Sequence, residues 1–241
     1  MARISRKELK KDEFAQEVSK TYEFVQAHRD KLTVAALAVA VGLLAGVGGY
    51  FLVEKRKANA NDALSKAMRT YLAPVRGTAA ALPEEEKSFA TEKEKYTQAV
   101  KEFLAIAQRY SRLKPGQIAR YYAGLCQANL NNFAEAEKEW NAVIQRGDPE
   151  LAALARLALA NMQARAGKGP EAEKLYRYLI EHPTVGVPKV WAQLALAEFL
   201  RTSKPAEAEK LYRQIEEENP NKAAADLARR GLEELKQVAA P

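Results

Sequence analysis

The chain has 241 residues, of which 47% are hydrophobic and 29% charged, and its net charge is +7. A single cysteine excludes an internal disulfide and any metal site built on several cysteines. The positive charge is spread out and not interleaved with aromatic residues, so nucleic-acid binding is not expected. Neither a phosphate-binding glycine loop nor an HExxH motif occurs, and both histidines are isolated. We therefore predict a protein that is not an enzyme and needs no cofactor or metal.

Residues 1–31 form a polar tail with one apolar stripe. Spacings of 4, 4 and 3 residues, typical of one face of a helix, separate Phe14, Val18, Tyr22 and Val25. A helix of this kind would lie on a membrane surface or bind a partner. A short helix that simply leads into the next segment is an equally good interpretation.

Residues 32–53 carry no charged side chain. A helix of this length spans roughly 33 Å at about 1.5 Å per residue, which is enough to cross a hydrocarbon core of about 30 Å. A buried core helix would show a polar face, and a signal peptide has a shorter apolar region of about 7–15 residues. We predict a retained transmembrane helix over 32–53, in contact with the lipid bilayer.

Small residues spaced four apart mark one stripe of this predicted span, at Ala38, Gly42 and Gly46. Such residues let helix backbones approach closely in lipid, so the stripe predicts self-association or packing on a partner helix. The pattern also occurs without any role. Basic residues flank the span on both sides, and their numbers alone do not decide which side of the membrane each end occupies.

A period of 36 residues dominates the chain after residue 117. The heptapeptide EAEKLYR stands at 171–177 and again at 207–213, and a looser copy, EAEKEW, stands at 135–140. In each copy the apolar residues fall on one helical face, and an alanine precedes an aromatic residue by four positions. Alanine-rich segments precede the copies, and turns and prolines separate them. The period predicts three helix–turn–helix units over 117–221.

Two further segments complete the predicted array. Residues 54–116 have the pattern of a degenerate first repeat, with a long loop over 74–90. Residues 222–241 supply a helix that would cap the last apolar face, as repeat arrays require. The predicted fold class is therefore all-α, with one N-terminal transmembrane helix followed by an array of helical hairpins.

These units resemble the tetratricopeptide repeat family. The residues that carry the resemblance are Gly124, Phe133, Ala136 and Trp140 in the first unit, Ala160, Ala172, Tyr176 and Pro183 in the second, and Ala208, Tyr212 and Pro220 in the third. The chain departs from the family in its period of 36 residues, where about 34 is usual. It also lacks the early tryptophan and has Leu196 in place of a small residue.

The order of tail, span and repeats is similar to that of the single-pass bacterial proteins of the YfgM type, which are ancillary to the SecYEG translocon. This resemblance implies a TPR-type helical-hairpin solenoid in the periplasm, an inner-membrane anchor and a cytoplasmic tail. It also implies a scaffold that binds proteins or peptides beside the translocon or periplasmic chaperones. Two alternatives stay open: an assembly factor for an envelope pilus or secretion complex, and a structural organiser that forms homo-oligomers through its span.

In such arrays the first helices line a groove that takes a peptide. Counting from the alanine–aromatic marker, the resemblance assigns to that groove Tyr121, Leu125, Asn129, Leu157, Asn161, Arg165, Gln193 and Arg201. Several of these residues are equally well interpreted as packing between helices, and the two arginines as ordinary solvated charges.

Overall fold

The computed structural model describes residues 17–20, 22, 25–76, 88–146, 148–219 and 223–239. Those residues form helices and connecting turns without a β-strand, which confirms the all-α prediction. The main helices are α1 (Arg29–Leu72), α2 (Glu92–Arg109), α3 (Lys114–Asn129), α4 (Phe133–Ile144), α5 (Pro149–Arg165), α6 (Gly169–Glu181), α7 (Lys189–Leu200), α8 (Pro205–Glu218) and α9 (Ala223–Ala239).

Helix α1 contains the apolar segment and is the candidate membrane-spanning helix among the described residues. Its stretch from Leu37 to Leu72 is long and apolar enough to cross a membrane, and none of the most apolar part is buried. The helix is not the N-terminal element, because helical residues 17–20 and 25–27 precede it. The stripe residue Phe14 lies outside the described residues.

Helix α1 continues without a break past residue 53, where the predicted span ends. Glu, Lys, Arg and Ala follow the apolar segment, and all of them favour the helix. The chain divides into two compact units, Met1–Arg56 and Lys57–Pro241. Within the second unit, Ala60 and Ala67 are buried in one core cluster with residues of α2 and α3.

The predicted loop over 74–90 is described only at its ends. A pair of backbone hydrogen bonds joins those ends, from Arg76 N–H to Phe89 C=O at 2.9 Å and from Phe89 N–H to Pro74 C=O at 3.1 Å. Helix α2 then begins after Thr91, whose hydroxyl accepts the N–H of Glu94 at 3.1 Å. This capping bond satisfies one of the free amides of the first helical turn.

Successive helices of the second unit pack on their neighbours in chain order, as hairpins do. In addition, α3 packs on α5, and α7 packs on α9. Equivalent residues 36 positions apart fill the core between them. The alanines of the three copies are fully buried, and so are the aromatic residues and the aliphatic residues that follow them: Ala136, Ala172, Ala208, Trp140, Tyr176, Tyr212, Val143, Leu179 and Ile215.

The turns inside the first two hairpins repeat at the level of the backbone. Asn131 and Gly167, which are 36 residues apart, both have positive φ angles, of 62° and 76°. The same hydrogen bond closes both turns at 2.9 Å, from Asn132 N–H to Gln127 C=O and from Lys168 N–H to Gln163 C=O. Asparagine and glycine are the residues that tolerate this conformation at a helix end. The third hairpin has no positive φ angle in its turn.

Ion pairs involve several of the charged residues of the heptapeptide. Arg177 contacts Glu173 at 2.7 Å in its own copy and Glu207 at 2.5 Å in the next copy. Lys204 contacts Glu173 at 2.9 Å, and the equivalent pair 36 residues earlier, Lys168 with Glu137, is 3.8 Å apart. Hydrogen bonds from Lys204 and Arg177 hold the pKa of the Glu173 carboxyl below its ordinary value. These exposed pairs are each worth at most about 1 kcal/mol.

Candidate functional site

A pocket of about 240 Å³ lies between α3 and α5, the first helices of two successive hairpins. Six residues assigned to the groove from the sequence line it: Tyr121, Leu125, Asn129, Leu157, Asn161 and Arg165. The structure therefore brings together six side chains that are up to 44 residues apart in the chain, counting from 121 to 165. The two helices place them side by side because each helix contributes one face at a spacing of four residues.

The indole of Trp140 on α4 lies beneath this pocket and is almost fully buried. Its Nε1–H donates to the backbone C=O of Tyr121 at 3.2 Å. The ring fits because residue 124 is glycine: a Cβ there would lie 2.5 Å from Trp140 Nε1. The Gly124–Trp140 contact thus fixes the distance between α3 and α4 under the pocket.

Eight of the twelve residues that line the pocket have apolar side chains. Tyr121, Leu125 and Leu154 are half-buried and pack against the core cluster that contains Trp140. Burial, with smaller effects of Tyr122 and Tyr71, raises the pKa of Tyr121 to about 12. Tyr121 therefore keeps its proton at neutral pH, and it presents an aromatic ring with a neutral hydroxyl.

Polar groups gather where α3 and α5 end. The Tyr176 hydroxyl donates to Asn161 Oδ1 at 2.7 Å, so the Nδ2 of Asn161 keeps its two hydrogens for another acceptor. Asn129 Nδ2 donates to Leu125 C=O at 2.8 Å. Arg165 is exposed, and no carboxylate in the described part of the chain lies within ion-pair distance of it.

Gln193 and Arg201, the other two residues assigned to the groove, do not line this pocket. Gln193 is only 3% exposed within the helical packing around α7. Arg201 contacts Glu198 at 3.0 Å and also pairs with Glu234 on α9. A carboxylate of α9, the helix that follows the last hairpin, therefore neutralises the charge of Arg201.

Several lining residues were not assigned from the sequence: Phe133, Trp140, Leu154, Ala158 and Met162. Leu154, Ala158 and Met162 lie one helical step beside the assigned face of α5, so a wider stripe would have included them. Phe133 begins α4 and is 37% exposed, although it is a large apolar residue. Its position directly after the turn between α3 and α4 is the feature of the sequence that could have placed it beside the pocket.

The stripe residues Ala38, Gly42 and Gly46 lie on α1 and are all exposed. A Cβ added at either glycine would meet nothing within 4 Å. The three positions remain a prediction for packing between helices in a membrane.

Chemically reactive groups are few in the described residues. No group of three or more His, Cys, Asp or Glu side chains there is close enough to hold a metal ion. Cys126 is fully buried on α3, and burial raises the pKa of its thiol to about 12. A thiol with this pKa is protonated at neutral pH and is a poor nucleophile.

No family model, curated protein or solved structure matches the chain.

Proposed function

We propose that the chain is a membrane-anchored scaffold that binds a polypeptide segment of a protein partner between α3 and α5. The observation that carries this proposal is the pocket itself, which has apolar walls and a polar end. Pockets of this composition bind ligands by burying apolar groups, while a few polar groups fix the orientation. An open pocket between two helix faces suits a chain segment that lies along them.

The second unit is proposed to be a TPR-type helical-hairpin solenoid. The 36-residue equivalence of buried core residues supports this proposal. The matching turns at Asn131 and Gly167 support it as well, since they repeat the backbone conformation and not only the letters. In an array of this type each hairpin contacts mainly its neighbours, so the faces of the first helices stay available for a ligand.

Helix α1 is proposed to anchor the protein in the bacterial inner membrane, with the repeats in the periplasm. Its exposed apolar stretch supports the anchor, and the resemblance to YfgM-type proteins supports the location. Partners near the SecYEG translocon, or periplasmic chaperones, follow from the same resemblance. An envelope assembly complex is the alternative machine for this scaffold.

Photo-cross-linking from the pocket of the full-length protein in cells tests the binding proposal. A photoreactive amino acid at Leu157, inside the pocket, is expected to cross-link to a polypeptide identified by mass spectrometry as a translocon subunit or a chaperone. The matched control carries the same group at Glu209, exposed on α8. If Leu157 gives no product beyond those seen from Glu209, the pocket does not bind protein.

A labelling experiment tests the location of the repeats. A cysteine introduced at Val185, which is 90% exposed, would be treated in intact cells with a thiol reagent that does not cross the inner membrane, with Cys126 replaced by serine. We expect labelling before lysis. Labelling only after lysis would place the repeats in the cytoplasm and exclude the periplasmic partners.

A further inference from the structure

The pocket between α3 and α5 differs between its two ends. Leu154 and Leu157 of α5 lie at the apolar end, whereas Asn161 and Arg165 lie further along the same helix. Eight residues separate Leu157 from Arg165, which corresponds to about 12 Å along a helix axis at 1.5 Å per residue. Asn129, the last residue of α3, lines the same polar end. A bound segment therefore meets apolar groups first and polar groups about 12 Å away.

Arg165 carries the only charge among the side chains that line this pocket. It has no carboxylate partner among the described residues. The equivalent residue 36 positions later, Arg201, is paired with Glu198 and Glu234. The guanidinium of Arg165 thus offers its planar set of donors to a ligand, and carboxylates match that geometry.

Asn161 adds donors at the same end. Because Tyr176 donates to its Oδ1 at 2.7 Å, the amide is held with Nδ2 directed away from the tyrosine. Asn161 and Arg165 are four residues apart and therefore neighbours on one face of α5.

The ends of α3 and α5 carry partial negative charge from the helix dipoles. Turn amides already occupy several of the last carbonyls of these helices, including those of Gln127 and Gln163. The dipoles also favour a cation at this place, so the position suits an arginine side chain. The full charge of the guanidinium then outweighs the partial charges for a ligand that approaches it directly.

We infer that the pocket selects an extended segment in which a large apolar side chain lies about three residues from an Asp or Glu side chain. An extended chain advances about 3.3 Å per residue, so about three to four residues cover the 12 Å between the two ends. The apolar side chain occupies the end formed by Leu154 and Leu157, and the carboxylate binds Arg165 and Asn161. This inference rests on the proposed function, because it names the kind of segment that the same pocket binds.

Selection from a library of displayed random dodecapeptides tests the inference. The target is the full chain in lipid nanodiscs. We expect the selected peptides to be enriched in a large apolar residue followed or preceded, about three positions away, by Asp or Glu. For one enriched peptide, Arg165→Gln is expected to weaken binding about 10-fold, the effect of losing one charge-assisted hydrogen bond.

Charge variants sharpen this test. Arg165→Lys is expected to keep the preference for acidic residues, and Arg165→Glu is expected to replace it with a preference for Lys and Arg. Arg230→Glu is the matched control, since Arg230 is an exposed arginine on α9 that does not line the pocket. It should leave the selection unchanged.

The possible failures are distinguishable. If the wild-type chain selects no peptide, the proposed function itself fails. If it selects apolar peptides without acidic enrichment, or if Arg165→Glu leaves the preference intact, the inference is wrong while peptide binding stands. A requirement for a free C-terminal carboxylate, without side-chain acids, would overturn the inference in the same way.

Discussion

The face of α5 and the face of α7 use equivalent sequence positions, yet the equivalent side chains on them have different surroundings. Leu157 and Arg165 lie in the pocket beside α3. Their equivalents 36 residues later are Gln193, which is 3% exposed, and Arg201, which is paired with α9. A sequence repeat therefore fixes which way a residue faces in its helix, whereas the neighbouring helix decides whether that face is open.

Helix α9 packs on α7, and it can approach closely because its packing face is made of small and medium side chains. Ala224, Ala228, Leu232 and Leu235 are buried in the same cluster as Tyr212. A Cβ on Gly231 would lie 2.4 Å from the ring of Tyr212, so α9 approaches very closely there. Apart from Leu227, most of its exposed side chains are polar or charged, which suits the last helix of an array.

The largest expected effect comes from detaching α9. Ala228 is fully buried, so Ala228→Asp would place a carboxylate in the core without a partner. We expect a loss of about 3 kcal/mol in the free energy of unfolding, with faster hydrogen exchange in α7 than in α3. Denaturation in detergent micelles, followed by tryptophan fluorescence, measures the loss. The control Leu227→Asp changes a residue that is 39% exposed and should cost no more than about 0.5 kcal/mol. Equal losses in the two variants would contradict the closed packing of α9.

A smaller effect is expected beneath the open pocket. Gly124→Val would force the side chain against Trp140 and move α4 away from α3. Overpacking of this kind costs about 1–3 kcal/mol, and cross-linking from Leu157 should fall with it. In the control Gly169→Ala the added Cβ would meet its nearest side-chain atom, on Phe199, at 3.7 Å, an ordinary contact. Wild-type stability of Gly124→Val would show that the Gly124–Trp140 contact does not determine the pocket floor.

The smallest expected effect concerns the tyrosine that orients Asn161. Burial raises the pKa of Tyr176 to about 12. The unfolded phenol loses its proton near pH 10. The stabilisation that comes from this shift is therefore complete below about pH 10, and it is lost as the pH rises from about 10 to about 12.

Tyr176→Phe removes both the hydroxyl and its titration. At neutral pH the variant should lose about 1 kcal/mol, because the hydrogen bond to Asn161 is gone. Its free energy of unfolding should then fall less steeply than that of the wild type between pH 10 and pH 12. Denaturation at a series of pH values measures both effects. An unchanged slope would mean that Tyr176 does not titrate differently in the folded state.

Much of the helical architecture could be predicted from local pattern. The helical spacing and the period of 36 residues need only the order of residues, and the all-α class followed from them. The same counting placed six of the assigned residues on the two faces that border the pocket. This works because residues four apart lie on one helix face whatever surrounds them.

Contacts between distant segments could not be obtained in this way. The sequence shows that Glu139 is an acid where its equivalents are leucines, but it does not identify the partner of this acid. In the structure Glu139 is buried and pairs with Arg120 of the preceding helix at 2.9 Å. Nor does the sequence indicate that Glu234 neutralises Arg201. A predicted span need not end where its helix ends, since charged residues that leave a membrane can still continue a helix.

Because Cys126 is buried, the reactivity of its thiol can report how often the surrounding helices separate. The thiol is the only one in the chain and is inaccessible in the core shared by α1, α2 and α3. An alkylating reagent can therefore react only during the moments when that core is breached. The alkylation rate of the unmodified protein therefore measures this separation. A comparison of the rates with and without a bound peptide would show whether a ligand in the pocket changes the opening of the core on the other face of α3.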